Sequence, residues 1–219
     1  MKLKSHDLFS IPVFTGQALT KEQIDDIIEF VENLSESQKY HHGLFGSPDN
    51  AETTFWNKEN ALDMIEAQIP SCVNIKKDLQ RAVDSYVLYY GIPGCVFGRS
   101  WITKQKRGAK TQKHIHAHPA VVSGVLYIKK GNGGETILHN PNPFIDLLPR
   151  KSRNQGRDSS YFARYKEVLA LTKYTIPAVK IPANDGDLIL FPPLIYHESS
   201  EHKDDEDRII LAFNCEVVK

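Results

Sequence analysis

The spacing of apolar positions changes character near Cys95. Before it, the pattern is helical. Ile24, Ile27, Ile28, Val31 and Leu34 recur at three- and four-residue steps, with Thr20 and Gln23 ahead of them at capping-box spacing. Leu62, Ile65 and Ile69 predict a short helix that stops at Pro70. Ser71 is then placed to cap a longer helix carrying Val73, Ile75, Leu79, Val83, Tyr86 and Val87, which residues 91–94 (GIPG) terminate. Residues 8–14 (LFSIPVF) read as an edge strand or extended arm, because Pro12 has no N–H to give to a sheet. Residues 41–57, rich in Gly, Ser, Pro, Asn and His, read as a loop.

After Cys95 the pattern becomes that of strands. Residues 96–104, 112–118, 121–130 and 135–139 carry strand composition, with a basic turn at 106–110 and a glycine turn (GNGG) at 131–134. Residues 141–175 interrupt this with a basic stretch and a helix-like segment, and read as an insertion over the mouth of a barrel. Strand signals resume at 178–181, 187–191 and 208–218. Helices first and many short strands afterwards predict an α+β chain, one structural domain overall. Residues 1–95 form an arm and supporting helices, packed on a double-stranded β-helix (jelly-roll) core at 96–219 that holds the helical insertion at about 141–175.

Composition narrows the function classes. The 27 basic and 27 acidic residues cancel, which removes the global electrostatic case for nucleic acid or a membrane surface. Three widely spaced cysteines give neither a disulfide framework nor zinc-ligand pairing and fit a reducing compartment. No run is apolar and long enough for a signal peptide or a membrane span, so a soluble, cytoplasmic protein is expected.

Two stretches carry chemistry. In HIHAHPAVVSGVLYIKK, His114, His116 and His118 fall at every second position, so an extended strand would point all three to one face. In DLILFPPLIYHESSEHKDDEDRIILAFN, His197 follows an apolar strand and a double proline, and Arg208 opens another apolar strand. Alternating histidines joined by a distant one across a sheet form a plausible metal site inside a small barrel, against the plain reading of a polar strand with solvated histidines. Arg208 either pairs with an acid of the preceding turn (Asp204, Asp205, Glu206, Asp207) or forms a fork for a small-molecule carboxylate; the residues alone leave both open. Trp101, Tyr196 and Phe191 read as core.

Taken together, HAHPAVVSGVLYIKK, GDLILFPPLIYHES and RIILAFN resemble the 2-oxoglutarate and Fe(II)-dependent oxygenases. The resemblance is closest to a group marked by an HxHP stretch leading into SGVYY and an FP…H…R…FN tail. It covers about half of the chain, mostly residues 96–140 and 182–216. It implies His116 and His197 as iron ligands, with His118 at the place where most of the superfamily has a carboxylate, and Arg208 on the distal carboxylate of 2-oxoglutarate. Tyr127 and Asn214 would line the co-substrate pocket. The implied reaction uses Fe(II), 2-oxoglutarate and O2, releases succinate and CO2, and hydroxylates a primary substrate that the sequence does not name. His114–His116 is an alternative pair, and Glu135, Asp187 or Glu198 an alternative source of a carboxylate. Ile210 stands where the superfamily often has a hydroxyl. Two other classes compete: a three-histidine cupin-like metalloprotein (a dioxygenase needing no 2-oxo acid, or an isomerase) and a non-catalytic barrel binding module. The cupin glutamate is missing, since Val121, Val122 and Ser123 hold its places.

Overall fold

The computed structural model describes residues 10–47, 49–141 and 176–218. The expected insertion at 141–175 therefore lies almost wholly outside the described residues. Among these residues two antiparallel sheets face one another, with three helices on the outer side of the larger sheet. The larger sheet runs in the order β1 (Phe14–Gln17), β7 (Asp187–Phe191), β4 (Ala120–Lys129), β9 (Arg208–Val217), β3 (Cys95–Gln105) and β2 (Ala51–Thr53). The smaller sheet runs β6 (Ala178–Lys180), β5 (Thr136–His139), β8 (His197–Ser199). This is the expected α+β, jelly-roll arrangement.

Helix α1 (Lys21–Glu32) begins where the capping box places it. Thr20 Oγ1 accepts from the Gln23 amide at 3.3 Å, and Gln23 Oε1 accepts from the Thr20 amide at 3.0 Å. Helices α2 (Ala61–Gln68) and α3 (Ile75–Tyr89) follow the predicted stripes, but Ser71 caps neither. Pro70 opens a one-turn 3-10 helix (Pro70–Cys72), and the Ser71 hydroxyl donates to Asp26 Oδ2 at 2.5 Å, a charged acceptor that outcompetes a backbone cap. The buried faces of the three helices pack on Val122, Leu126, Leu188, Leu190, Leu211 and Phe213.

The other face of the same sheet presents Val125, Tyr127, Ile189, Phe191 and Ile210 to Leu138 and Ile195 of the smaller wall. Because β4 is covered on both faces, residues 122–128 are all buried, and the strand reads as a continuous apolar run instead of an alternating one. Gly124 is required within that run: a Cβ there would lie 2.2 Å from the Phe213 ring.

Four local expectations change. The N-terminal strand starts at Phe14, beyond Pro12, whose carbonyl accepts from the Tyr86 and Tyr90 hydroxyls at 3.4 Å each. The 41–57 loop contains the three-residue β2. Residues 112–118 do not form a regular strand: His114 makes one bridge with His197, and a turn closes with Ala120 N–H donating to Ala117 O at 3.3 Å. Tyr196 is 53% exposed rather than core, and lies beneath the Lys113 ammonium at 5.0 Å, whereas Trp101 and Phe191 are buried. Among the described residues no helix is long and apolar enough to cross a membrane.

Candidate metal centre

His114 and His197 are brought opposite each other by the bridge that extends the smaller sheet, each amide donating to the other's carbonyl at 2.9 Å. His116 is drawn in by its own amide, which donates to Pro193 O at 2.9 Å. The result is a cluster in which one nitrogen from each of His114, His116 and His197 lies within 4.8 Å of the others. Phe191 packs on His197 at 4.8 Å and Trp101 on His116 at 5.7 Å, ring centre to ring centre.

The hydrogen bonds settle which nitrogen each ring offers. Nδ1 of His114 meets Gln112 O at 2.7 Å, and Nδ1 of His197 meets Ile195 O at 2.9 Å. Nδ1 of His116 meets Asn214 Oδ1 at 2.6 Å and Ser123 Oγ at 2.8 Å. Carbonyl oxygens only accept, so each Nδ1 carries the proton and each Nε2 keeps a lone pair. The Nε2 atoms of His114 and His116 are 3.1 Å apart with no proton left to share between them. A cation relieves that opposition, and two nitrogens at about 2.1 Å from one metal and at right angles to it stand about 3 Å apart. The residues present therefore fit a metal.

Burial keeps these imidazoles neutral. Desolvation, followed by the neighbouring His114, pushes His197 down to about 3; desolvation and His114 also push His116 down to about 4. His114 is lowered as well, chiefly by burial. A neutral ring is the form that binds metal, so little proton release is needed at neutral pH. The unfolded chain takes up protons near the ordinary value of 6.5 and the folded one does not. The stability from these rings is thus fully present above about pH 6.5 and is lost as pH falls through 4 and then 3. Urea midpoints of the metal-free protein should decline over that window and be flat above it with respect to these groups. Substituting leucine for Asn214 should weaken metal binding toward the low end of the about 10–100-fold range for an outer hydrogen-bond partner, since Ser123 remains; calorimetric titration with a divalent metal reads it.

His118 stands apart. It is exposed, at the turn before Pro119, and does not join the cluster. The strand that would have carried three alternating side chains to one face ends before His118 is reached. None of the alternative carboxylates joins the three histidines either: Glu198 pairs with His139 at 2.9 Å, Glu135 with Lys130 at 3.4 Å, and Asp187 accepts from the Asn184 amide at 2.7 Å.

The inner face of the large sheet carries a second polar focus. Arg208, six residues before Asn214 on β9, is 1% exposed. Its Nη1 donates to Gln105 Oε1 at 2.5 Å, and its guanidinium carbon lies 5.4 Å from the Tyr127 ring centre. Its Nε has no partner among the described residues. The acids of the preceding turn are engaged elsewhere: Asp205 with Arg107, Glu206 with Lys129, Asp207 with Lys104, and Asp204 with the Asn132 amide. The rim pairing considered for Arg208 is thus not formed. Burial lowers its pKa, opposed by Tyr127 and Glu135. Tyr127 hydrogen-bonds Thr136 Oγ1 at 2.7 Å beside it, whereas Asn214 sits at the other end, against His116. Gly134, at φ +67°, lets the guanidinium lie flat, as a Cβ there would be 2.3 Å from Arg208 Cδ. Ile210 faces the apolar interior and supplies no hydroxyl.

Sequence reasoning missed Ser123, Gln105 and Thr136. The available signal was parity: each is a polar residue in strand register with the inward side chains.

A family profile described as "Putative 2OG-Fe(II) oxygenase" matches residues 99–214, more than half of the chain, and the protein belongs to that family. No curated protein sequence matches it. Among solved structures, the chain is similar in fold to a prolyl-4-hydroxylase from Pseudomonas putida, at TM-score 0.54 and 11% identity over 96% of this chain and 95% of that one. It is also similar to HygX from Streptomyces hygroscopicus, solved with nickel and 2-oxoglutarate (TM-score 0.55, 10% identity, 94% and 83% covered). A third is SnoN, an α-ketoglutarate-dependent epimerase of nogalamycin biosynthesis (TM-score 0.61, 12% identity, 94% and 76% covered).

Proposed function

We propose that this protein is an Fe(II)- and 2-oxoglutarate-dependent dioxygenase that hydroxylates a primary substrate, releasing succinate and CO2. The observation that carries the reading is the pairing, inside one barrel, of a three-imidazole cluster with a buried arginine that has no carboxylate partner among the described residues. An unneutralised buried guanidinium is costly, and a dicarboxylate co-substrate supplies the missing charge. Residues 96–219 would carry the chemistry, with the preceding helices as support.

His114, His116 and His197 would hold the iron through Nε2, leaving positions open for the 2-oxo acid and dioxygen. Iron bound there supplies oxidative decarboxylation of 2-oxoglutarate and the power to remove hydrogen from a C–H bond. The chain's own contribution is positional. Asn214 and Ser123 fix the His116 ring, the Gln112 and Ile195 carbonyls fix the other two, and Phe191 and Ile210 keep the interior dry. Arg208, oriented by Gln105 and Tyr127, grips the distal carboxylate. The fold is shared by hydroxylases and an epimerase alike, so the choice of hydroxylation rests on the commonest outcome of that chemistry.

The test is anaerobic titration of the metal-free protein with Fe(II) and then 2-oxoglutarate, following the visible metal-to-ligand charge-transfer band. A band that needs both additions supports the reading. Iron binding without the band would move the protein to the three-histidine class that uses no 2-oxo acid, and absence of iron binding would leave a binding module.

A further inference from the structure

The chain has two tryptophans, and both lie on one line of ring contacts leading out from the metal centre. Trp101, 3% exposed, contacts His116 on one side at 5.7 Å and Phe55 on the other at 5.0 Å. Phe55 contacts Trp56 at 4.9 Å, and Trp56, 42% exposed, has Tyr40 at 6.3 Å, itself 39% exposed. The line thus begins on a ring of the metal cluster and ends at the surface on the two kinds of side chain that are most easily oxidised by one electron among aromatics. Its members come from β3, from the segment after β2 and from the loop before it. Packing the interior would not require an indole at both ends. The three cysteines, which an oxidant would otherwise attack, are all buried on the helix-covered side of the large sheet, away from this line.

We propose that Trp101 and Trp56, bridged by Phe55, form an electron path that drains an unused oxidising equivalent from the metal centre to the surface when no primary substrate is bound. The proposal rests on the oxygenase reading above. One electron leaves the Trp101 indole for the centre, and Trp56 refills Trp101 through the Phe55 ring. A thiol or ascorbate-class reductant in solution refills Trp56, directly or by way of Tyr40. Two such transfers, with two protons, return the centre to its ferrous state and release its oxygen as water; two thiols become one disulfide. Trp56, 42% exposed, exchanges its proton with solvent.

The experiment supplies the iron-loaded protein with 2-oxoglutarate and O2 but no primary substrate. Succinate is measured in the same samples, freeze-quenched samples are read by electron paramagnetic resonance, and oxidised residues are mapped by peptide mass spectrometry. The expected result is an indole radical, with stable oxidation concentrated at Trp56 and Tyr40 and lost when a thiol is added. In Trp101→Phe, which keeps the ring contacts, surface oxidation should disappear and damage should move to Phe191 and the histidines. In Trp56→Phe, an exposed position that tolerates the change, the radical should persist on Trp101. Succinate formed with oxidation confined to the interior in the unmodified protein, or surface oxidation unchanged by Trp101→Phe, would overturn the path alone. No succinate at all would overturn the oxygenase reading and the path with it.

Discussion

Alanine at His197 will abolish divalent-metal binding and alanine at His114 will weaken it steeply, while His118→Ala will leave it unchanged. The loss at the first two positions should exceed the about 10–100-fold that removing an outer hydrogen-bond partner costs, because a ligand nitrogen itself is taken away. His197 is 6% exposed and sits between His114 and Phe191, so water cannot readily take its place. His118, exposed beside Pro119, lies outside the cluster. Metal content after dialysis and calorimetric Fe(II) titration separate the three variants. Equal loss in His118→Ala and His114→Ala would show that the ligand set includes the residue at the usual carboxylate place.

The second large effect falls on affinity and not on stability. Replacing Arg208 with methionine, which fills similar space without charge, should weaken 2-oxoglutarate binding by about 10–100-fold, the factor for a charge-assisted hydrogen bond of about 1.5–3 kcal/mol. The same change should leave the stability of the metal-free protein little altered, because removing a buried guanidinium that has no carboxylate partner among the described residues is offset by leaving the buried Gln105 Oε1 without its donor. Dependence of turnover on 2-oxoglutarate concentration gives the first quantity and the denaturant midpoint gives the second. A loss of stability matching the loss of affinity would mean that the guanidinium serves the core and not a ligand.

The elements that bury one continuous stripe were legible in the sequence. Ile24, Ile27 and Val31 repeat at helical spacing because they all meet the same sheet face, and Thr20 with Gln23 marks the start by local hydrogen bonds alone. Strands β4, β7 and β9 announce themselves by apolar runs, since both faces are covered. What could not be read was decided by partners distant in sequence. Strands β2 and β8 have three residues each, too few to show any period, and exist because β3 and β5 pair with them. The choice of His114 over His118 is of this kind. Alternation says which residues share a face for as long as a strand continues, and is silent on where the strand stops. Here the His114–His197 bridge and the turn at 117–120 make that decision. Arg208 was identifiable as a residue needing a partner. Only the engagement of Asp205, Glu206 and Asp207 by other cations showed that the preceding turn does not provide one.

The two walls of the barrel are unequal. Among the described residues, one is six strands wide and backed by three helices; the other has three strands of three or four residues each. Strands so short hold together only through what they face, and such a wall is the part of a protein that opens first. His197 belongs to this thin wall, while His116 is fastened to the broad one through Ser123 and Asn214. A metal shared by them would act as a clasp, closing the fragile side onto the robust one. The energy of ligation would then resist local opening of the chamber as well as serving the reaction proposed for it.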